Sequence, residues 1–295
     1  MIRKLATALT LVCMFLAPAQ AYDEPFKVSL SPEVFDGNLP MHDSSRIFFN
    51  RVTKRMIMPD YARIVLVGFD TGRTSQFLVD KIEDAKIMNY VLSPELVEFA
   101  ELQHAHPRIE NRYGNIFRAD RKLKNKADMV FCSWAVGYIP DTKQVISLKT
   151  MRSMLKEGGT CAVIYPMKGS PLSSAIESIV QQAKWSEKLV EHVEPRSSYR
   201  PDQYANFMTR AGFKDVTAEK HVYSLYFNDR SELEAFVRSG LGRYLPHLNE
   251  ADQEQLITDV TDQYMDSVSV KDGGQIPYQV DMVLAVARNT DPQGF

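Results

Sequence analysis

Arg63-Ile64-Val65-Leu66-Val67-Gly68, followed by Phe69-Asp70-Thr71-Gly72-Arg73-Thr74, is the stretch on which the fold turns. An unbroken apolar run ending in glycine reads as a parallel strand buried on both faces, because such a strand has no solvent side to mark with alternating polar residues. A helix from Thr74 through Ile82 fits after it, so strand, glycine loop and helix form one βα turn. Ligands of open α/β sheets sit at the carboxyl ends of the strands, where the strand order reverses. The helix that leaves such a loop offers free N–H groups to an anion. The loop spacing departs from G-x-G-x-x-G, and no acid closes the following strand to hold a ribose, which disfavours a nicotinamide dehydrogenase.

Working outward, Lys86 to Leu92 reads as the next strand, and Ser93-Pro94-Glu95 as a helix start with a cap residue, Pro at the first position and an acid in the first turn. Ala127 to Ser133 and Thr160 to Tyr165 read as further buried strands, with an amphipathic helix over Val145 to Leu155 between them. After Pro166 helices dominate: Ser170-Pro171 opens one, Pro201 opens another that Gly212 closes, and Asp229 and Asn249 are caps for two more. Lys214 to Phe227 and Gln279 to Arg288 are strands by their Val, Tyr, Leu and Phe content, the latter after the turn Asp272-Gly273-Gly274. Upstream, Ser44 or Ser45 is expected to cap a helix in which Phe48, Val52 and Met56 repeat every four residues. The expected fold class is α/β: a doubly wound sheet with helical additions.

The chain has 295 residues, 44% hydrophobic and 24% charged, with 35 basic against 37 acidic side chains. This is globular composition, with no basic surplus to draw the protein onto nucleic acid or an anionic membrane. Residues 1–21 combine Arg3 and Lys4 with the apolar run Leu5 to Leu16 and end in Ala19-Gln20-Ala21, the pattern of a cleaved secretory signal. Export to the periplasm or beyond follows, without a membrane span in the processed chain. Cys132 and Cys161 then remain, expected as buried thiols at opposite ends of their strands, too far apart for a bridge.

The chain resembles the class I S-adenosylmethionine-dependent methyltransferases. Arg63 to Thr74 resembles their first motif, Tyr90 to Leu96 the second-strand segment, Asp128 to Asp141 the fourth-strand motif, and Leu155-Lys156-Glu157-Gly158-Gly159 the turn before the fifth strand. Leu245-Pro246, the helix after Asn249 and Ile276-Pro277-Tyr278 resemble the tail of small-molecule carboxylate methyltransferases. The resemblance implies a Rossmann-like seven-stranded sheet with S-adenosylmethionine as cofactor. It divides the chain into a signal peptide (1–21), an N-terminal helical cover (22–60) and a methyltransferase-like domain (61–295) with a helical lid at 167–200 and C-terminal helices at 229–268. The cofactor site it implies comprises Gly68, Phe69, Asp70, Gly72, Val91, Leu92, Ser93, Asn115, Ile116 and Ser133.

This sequence departs from the family pattern at the residues that hold the cofactor. Leu66 stands where the first acid is usual, Asp70 where the second glycine is, Val91 where an acid clasps the ribose, and Asn115 where an aspartate often meets the adenine. Two lost acid contacts, at roughly 1.5 to 3 kcal/mol each, imply affinity weaker by on the order of a hundredfold or more. Trp134, Tyr138 and Tyr165 follow the fourth and fifth strands and are pocket candidates through their aromatic faces, or else packing under the lid. Arg196, Tyr199 and Arg200 offer a carboxylate contact, or else a solvated loop. His104-x-His106 lacks the partner pattern of a metal site, and no metal is expected. The charged run Arg118 to Lys126 reads as a solvated connection or a contact for an acidic partner. Two functions follow: methyl transfer from S-adenosylmethionine to a small molecule, conceivably a carboxylate, or a non-catalytic protein of this fold that binds another ligand or a protein partner.

Overall fold

The computed structural model describes residues 31–189, 198–271 and 273–290. Residues 1–21, Arg196 and Asp272 lie outside them. Two helices come first, α1 (Pro32–Asp36) and α2 (Leu39–Thr53), followed by β1 (Arg63–Gly68), α3 (Arg73–Lys81), β2 (Lys86–Val91), α4 (Pro94–Gln103) and β3 (Ile109–Tyr113). The second half of the sheet brings β4 (Ala127–Ser133), α5 (Gln144–Met154) and β5 (Leu155–Pro166). Then come α6 (Pro171–Val180), α7 (Ala183–Leu189), α8 (Pro201–Arg210), β6 (Lys214–Phe227), α9 (Arg230–Gly240), α10 (Glu250–Ser267) and β7 (Ile276–Arg288).

The strands form one sheet in the order β3-β2-β1-β4-β5-β7-β6. β1 to β5 run parallel, and β7 is antiparallel to both β5 and β6. The chain order reverses between β1 and β4, so their carboxyl ends flank the crevice in which this fold class places its ligand. This is the Rossmann-like seven-stranded fold that the sequence resemblance implies.

The continuous apolar runs are explained by the two cores. Along β1, Ile64 and Leu66 join Met129 and Phe131 of β4 in the core under α2, α3, α6, α9 and α10. Val65 and Val67 join Val130 and Cys132 in the core under α4, α5 and α8. The alternation of side chains along a strand thus feeds both faces. Leu66 pairs in register with Phe131, whose ring meets Phe49 of α2 edge-on at 5.4 Å. A carboxylate at position 66 would face this apolar wall as an uncompensated buried charge.

Several boundaries differ from expectation for local reasons. The cap of α2 is Asn38, whose side chain accepts a hydrogen bond from the Met41 amide, so Ser44 and Ser45 lie inside the helix. β5 begins at Leu155 because Ala127 pairs with it before a bulge carries the register to Met129 and Thr160. β7 takes in Ile276-Pro277-Tyr278, paired with Phe227, Tyr226 and Leu225. β3 has too few apolar residues to announce itself, since it is an edge strand with half-open faces. The thiols are buried and free, but they are not at opposite strand ends: Cys132 pairs with Val163 and Cys161 with Val130, two ladder steps apart on one face. Among the described residues no helix is long and apolar enough to cross a membrane.

Phe131 is fully buried where α2 meets the sheet. Phe131→Ala is expected to cost about 3 to 5 kcal/mol, read as a lower urea midpoint at unchanged slope.

Candidate functional site

The crevice begins with a close approach of two backbones. Gly68 ends β1 at φ 151°, and a Cβ there would lie 2.6 Å from the Ser133 carbonyl oxygen, so only glycine permits β1 and β4 to part at this spacing. Past β4, Trp134 takes φ 60°, a left-handed conformation that costs a bulky residue on the order of 1–3 kcal/mol. Its amide donates to the Ile164 carbonyl and its indole Nε1 donates to Ser44 Oγ at 2.9 Å. Strain held by hydrogen bonds on both sides is a mark of functional loops.

Asp70 borders the gap between the ends of β1 and β4 with Gly68 and Ser133, but its carboxylate is already engaged. Its carboxylate accepts from the Thr74 amide at 3.0 Å and from the amide and hydroxyl of Ser75 at 3.0 and 2.7 Å. The N-terminal amides of α3 that could receive an anion are therefore occupied from within the loop. The Asp70 carbonyl accepts from Asn89 Nδ2 at 3.2 Å. Asn89 is a buried residue of β2 that the sequence did not single out.

The N-terminal cover is latched across the loop. Asp36 of α1 accepts from Thr71 Oγ1 at 2.8 Å, pairs with Arg73 at 2.8 Å and meets His104 Nε2 at 3.0 Å. Burial pushes the Asp36 carboxyl up, but the hydrogen bonds from Arg73, Thr71 and His104 outweigh it and hold the group at about 2. Phe35 stacks on Phe69 with centroids 5.4 Å apart. His42 of α2 meets the Phe35 carbonyl through Nε2 at 3.0 Å and Thr74 Oγ1 through Nδ1 at 3.3 Å. A carbonyl can only accept, so Nε2 carries the proton. Burial lowers the His42 pKa, against the pull of the Asp70 carboxylate 3.9 Å away. Ser45 Oγ reaches Ser133 Oγ at 2.5 Å, so α2 grips the end of β4 twice.

The residues expected at the cofactor site converge on the strand ends, and most are covered. Val91, Leu92 and Ile116 are at most 1% exposed, and they share a core with Phe35, Met41 and Phe69. Ser93 bonds to Glu95, and Asn115 Oδ1 accepts from the Phe117 amide. Tyr165 is corrected: its ring is buried beside Tyr204 at 5.0 Å, and its hydroxyl donates to the Tyr199 carbonyl, behind the crevice. The carboxylate candidates also fall elsewhere, because Arg200 forks onto Asp202 in solvent and Tyr199 donates to Asp141. His104 serves the latch, and His106 accepts from the Arg108 amide. From the charged run, Lys122 and Lys126 border a groove at the amino ends of β1, β2 and β4, with Arg63 and Lys86, away from the crevice.

Next to Phe69 lies a cavity of about 120 Å³. Phe35, Phe69, Trp134, Tyr138, Phe236 and Tyr278 supply aromatic surface to its wall, and Leu172 and Ile176 of α6 roof it. Tyr138 meets Phe69 edge-on at 4.9 Å. Trp134 and Tyr138 were legible as residues following β4. Phe35, Phe236 and Tyr278 were not, because they come from three separate elements, α1, α9 and β7, and carry no shared motif.

Residues 64–159 match the family model described as a methyltransferase domain. None of the curated proteins matches the chain by sequence. Among solved structures, the YcgJ protein of Bacillus subtilis is similar at 14% identity, over 85% of this chain and 100% of that one, with a TM-score of 0.53. A protein described as a sarcosine dimethylglycine methyltransferase from Galdieria sulphuraria is similar at 16% identity, over 91% and 94%, with a TM-score of 0.53. The cyclase SpnF is similar at 13% identity, over 83% and 82%, with a TM-score of 0.52. At these identities the likeness is one of fold.

Removing the latch with Asp36→Ala is expected to lower the local opening free energy of residues 32–42 by about 1 to 2 kcal/mol, the exposed side of Arg73 counting for little. Amide exchange there should quicken by on the order of tenfold while β1 and β4 stay protected. Asp36 titrates near 4 when released and at about 2 when latched, so the latch keeps its full strength above about pH 4 and is lost as pH falls toward 2.

Proposed function

We propose that this chain, which carries a methyltransferase domain match over residues 64–159, transfers a methyl group from S-adenosylmethionine to a small molecule after export. One observation supports this above the others: the glycine loop after β1 and the aromatic cavity share a wall at Phe69, so a donor bound along the loop and an acceptor in the cavity would adjoin.

The residues that would hold the cofactor are the main chain of Gly68 to Gly72, the Leu92-Ser93 turn, and Asn115-Ile116. Gly68 suits the group, since a side chain there would collide with Ser133. The condition is set by α1, whose Phe35 seals the loop against Phe69; binding requires α1 to withdraw. When bound, the cofactor supplies a methyl carbon on a sulfonium sulfur. The chain contributes position and dryness. Phe69, Trp134 and Tyr138 form the aromatic border, and the hydrogen bonds of Ser44 and Ser45 to Trp134 and Ser133 keep α2 closed over it. Transfer to a good nucleophile needs no acid–base pair from the protein. The size of the cavity supports a small acceptor, and the sequence of residues 1–21 supports export; N-terminal sequencing of the exported protein is expected to begin at Tyr22.

A second reading is a non-catalytic protein of this fold that binds another ligand or a protein partner. The occupied α3 amides and the burial of Val91, Leu92 and Ile116 favour it.

Calorimetric titration separates the two. We expect saturable binding of S-adenosylmethionine and S-adenosylhomocysteine below the millimolar range, tightened severalfold by Phe35→Ala. Val91→Asp would bury a carboxylate among Phe35 and Met41 while α1 is closed, so it is made in the Phe35→Ala background, where it should tighten binding about tenfold. No binding up to millimolar concentrations by any of the three proteins sinks the enzyme reading.

A further inference from the structure

The cavity beside Phe69 has a composition that selects its occupant. Its wall carries six aromatic rings, with Met41, Leu172, Ile176 and Val280 filling between them. Lys168 is the only charged residue among the described ones that line it, and it stands exposed at the mouth. A buried anion would lack a charged partner among the described residues inside, whereas a cation would meet ring faces with no described carboxylate beside them.

Polar side chains of the wall are already engaged by the protein itself. Asn38 Nδ2 donates to Ser239 Oγ at 2.9 Å, and Asn38 Oδ1 accepts from the Met41 amide. Ser239 donates to the Phe236 carbonyl at 2.7 Å. Ser173 Oγ donates to the Ser170 carbonyl at 2.9 Å, and Ser170 Oγ accepts from the Ser173 amide. Trp134 Nε1 is held by Ser44. A ligand rich in hydrogen-bonding groups would give up its water for few new partners, and that loss is not recovered.

Size narrows the class further. A dry apolar cavity of about 150 Å³ holds a benzene molecule, and this one measures about 120 Å³. Flat rings gain most from such walls, since offset and edge-on contacts between aromatic rings add to the burial of area.

We infer that the cavity binds a neutral, single-ring aromatic molecule with at most one weakly polar substituent, such as a phenol, and disfavours carboxylates. Naming this ring the methyl acceptor rests on the function proposed above; the binding itself does not. The carboxylate acceptor implied by the sequence resemblance thus gives way to a neutral ring.

The test is fluorine NMR on the full chain with 4-fluorophenol and 4-fluorobenzoate at neutral pH. The expected result is saturable binding of 4-fluorophenol and binding of 4-fluorobenzoate at least tenfold weaker. Ile176→Phe, which fills the cavity from the roof, should weaken 4-fluorophenol tenfold or more. Val280→Phe does the same from the sheet, and near-ultraviolet circular dichroism identifies whichever variant keeps its fold. Equal binding of 4-fluorobenzoate, or unchanged affinity in a folded variant, overturns the inference. S-adenosylmethionine titrated in parallel keeps the two proposals apart. Phenol binding without cofactor binding removes the methyl-transfer reading and leaves the ring site, whereas cofactor binding without phenol binding removes the ring site alone.

Discussion

The approach of Gly68 to the Ser133 carbonyl is the constraint from which the rest of the site follows. Two parallel strands part at the reversal of a doubly wound sheet, and the gap between their ends opens only if neither places a side chain in it. Because β1 ends in glycine, the loop can turn directly over β4. The chain beyond Ser133 then enters its left-handed turn at Trp134 and aims an indole at the space above the sheet.

The cover gives this crevice its individual character. Asp36 gathers Thr71, Arg73 and His104, so one carboxylate ties the glycine loop, the first turn of α3 and the end of α4 to α1. Hydrogen bonds to a charged group in a half-buried setting are worth more than neutral ones, and the depressed Asp36 pKa is the same preference seen from the proton's side. The loss of the family's acids fits this arrangement. At position 66 a carboxylate would oppose Phe131, and at position 91 it would lie within an apolar cluster containing Phe35 and Met41. Asp70 finds its charge partners in the amides of α3 instead of in a ligand.

These features bear on the pocket as well. With α1 and α2 closed, Phe35 stacks on Phe69, and the space left beyond them is walled by rings from the cover, two strand-end loops, α9 and β7. A site assembled in this way discriminates by shape and desolvation, because its hydrogen-bonding side chains already hold the wall together.

The local signals in the sequence were enough for the sheet and most helix boundaries. Continuous apolar runs mark β1, β4 and β5 because both faces of those strands are covered, and Asp229, Asn249 and Ser170 cap helices through contacts only three residues away. The glycine loop, Trp134 and Tyr138 were legible for the same reason: their place depends on the end of a strand. Tyr165 and Arg200 left two readings open, since leaving a strand end or preceding a helix does not fix which way a side chain points once neighbours compete for it. The strand β3, with its sparse apolar residues, and the cap Asn38 gave weak local signals that stronger neighbours masked. Tertiary structure alone decided that Phe35, Phe236 and Tyr278 meet around one cavity and that Asp36 latches the cover, because those contacts join residues far apart in the chain and are selected by packing, which no local pattern encodes.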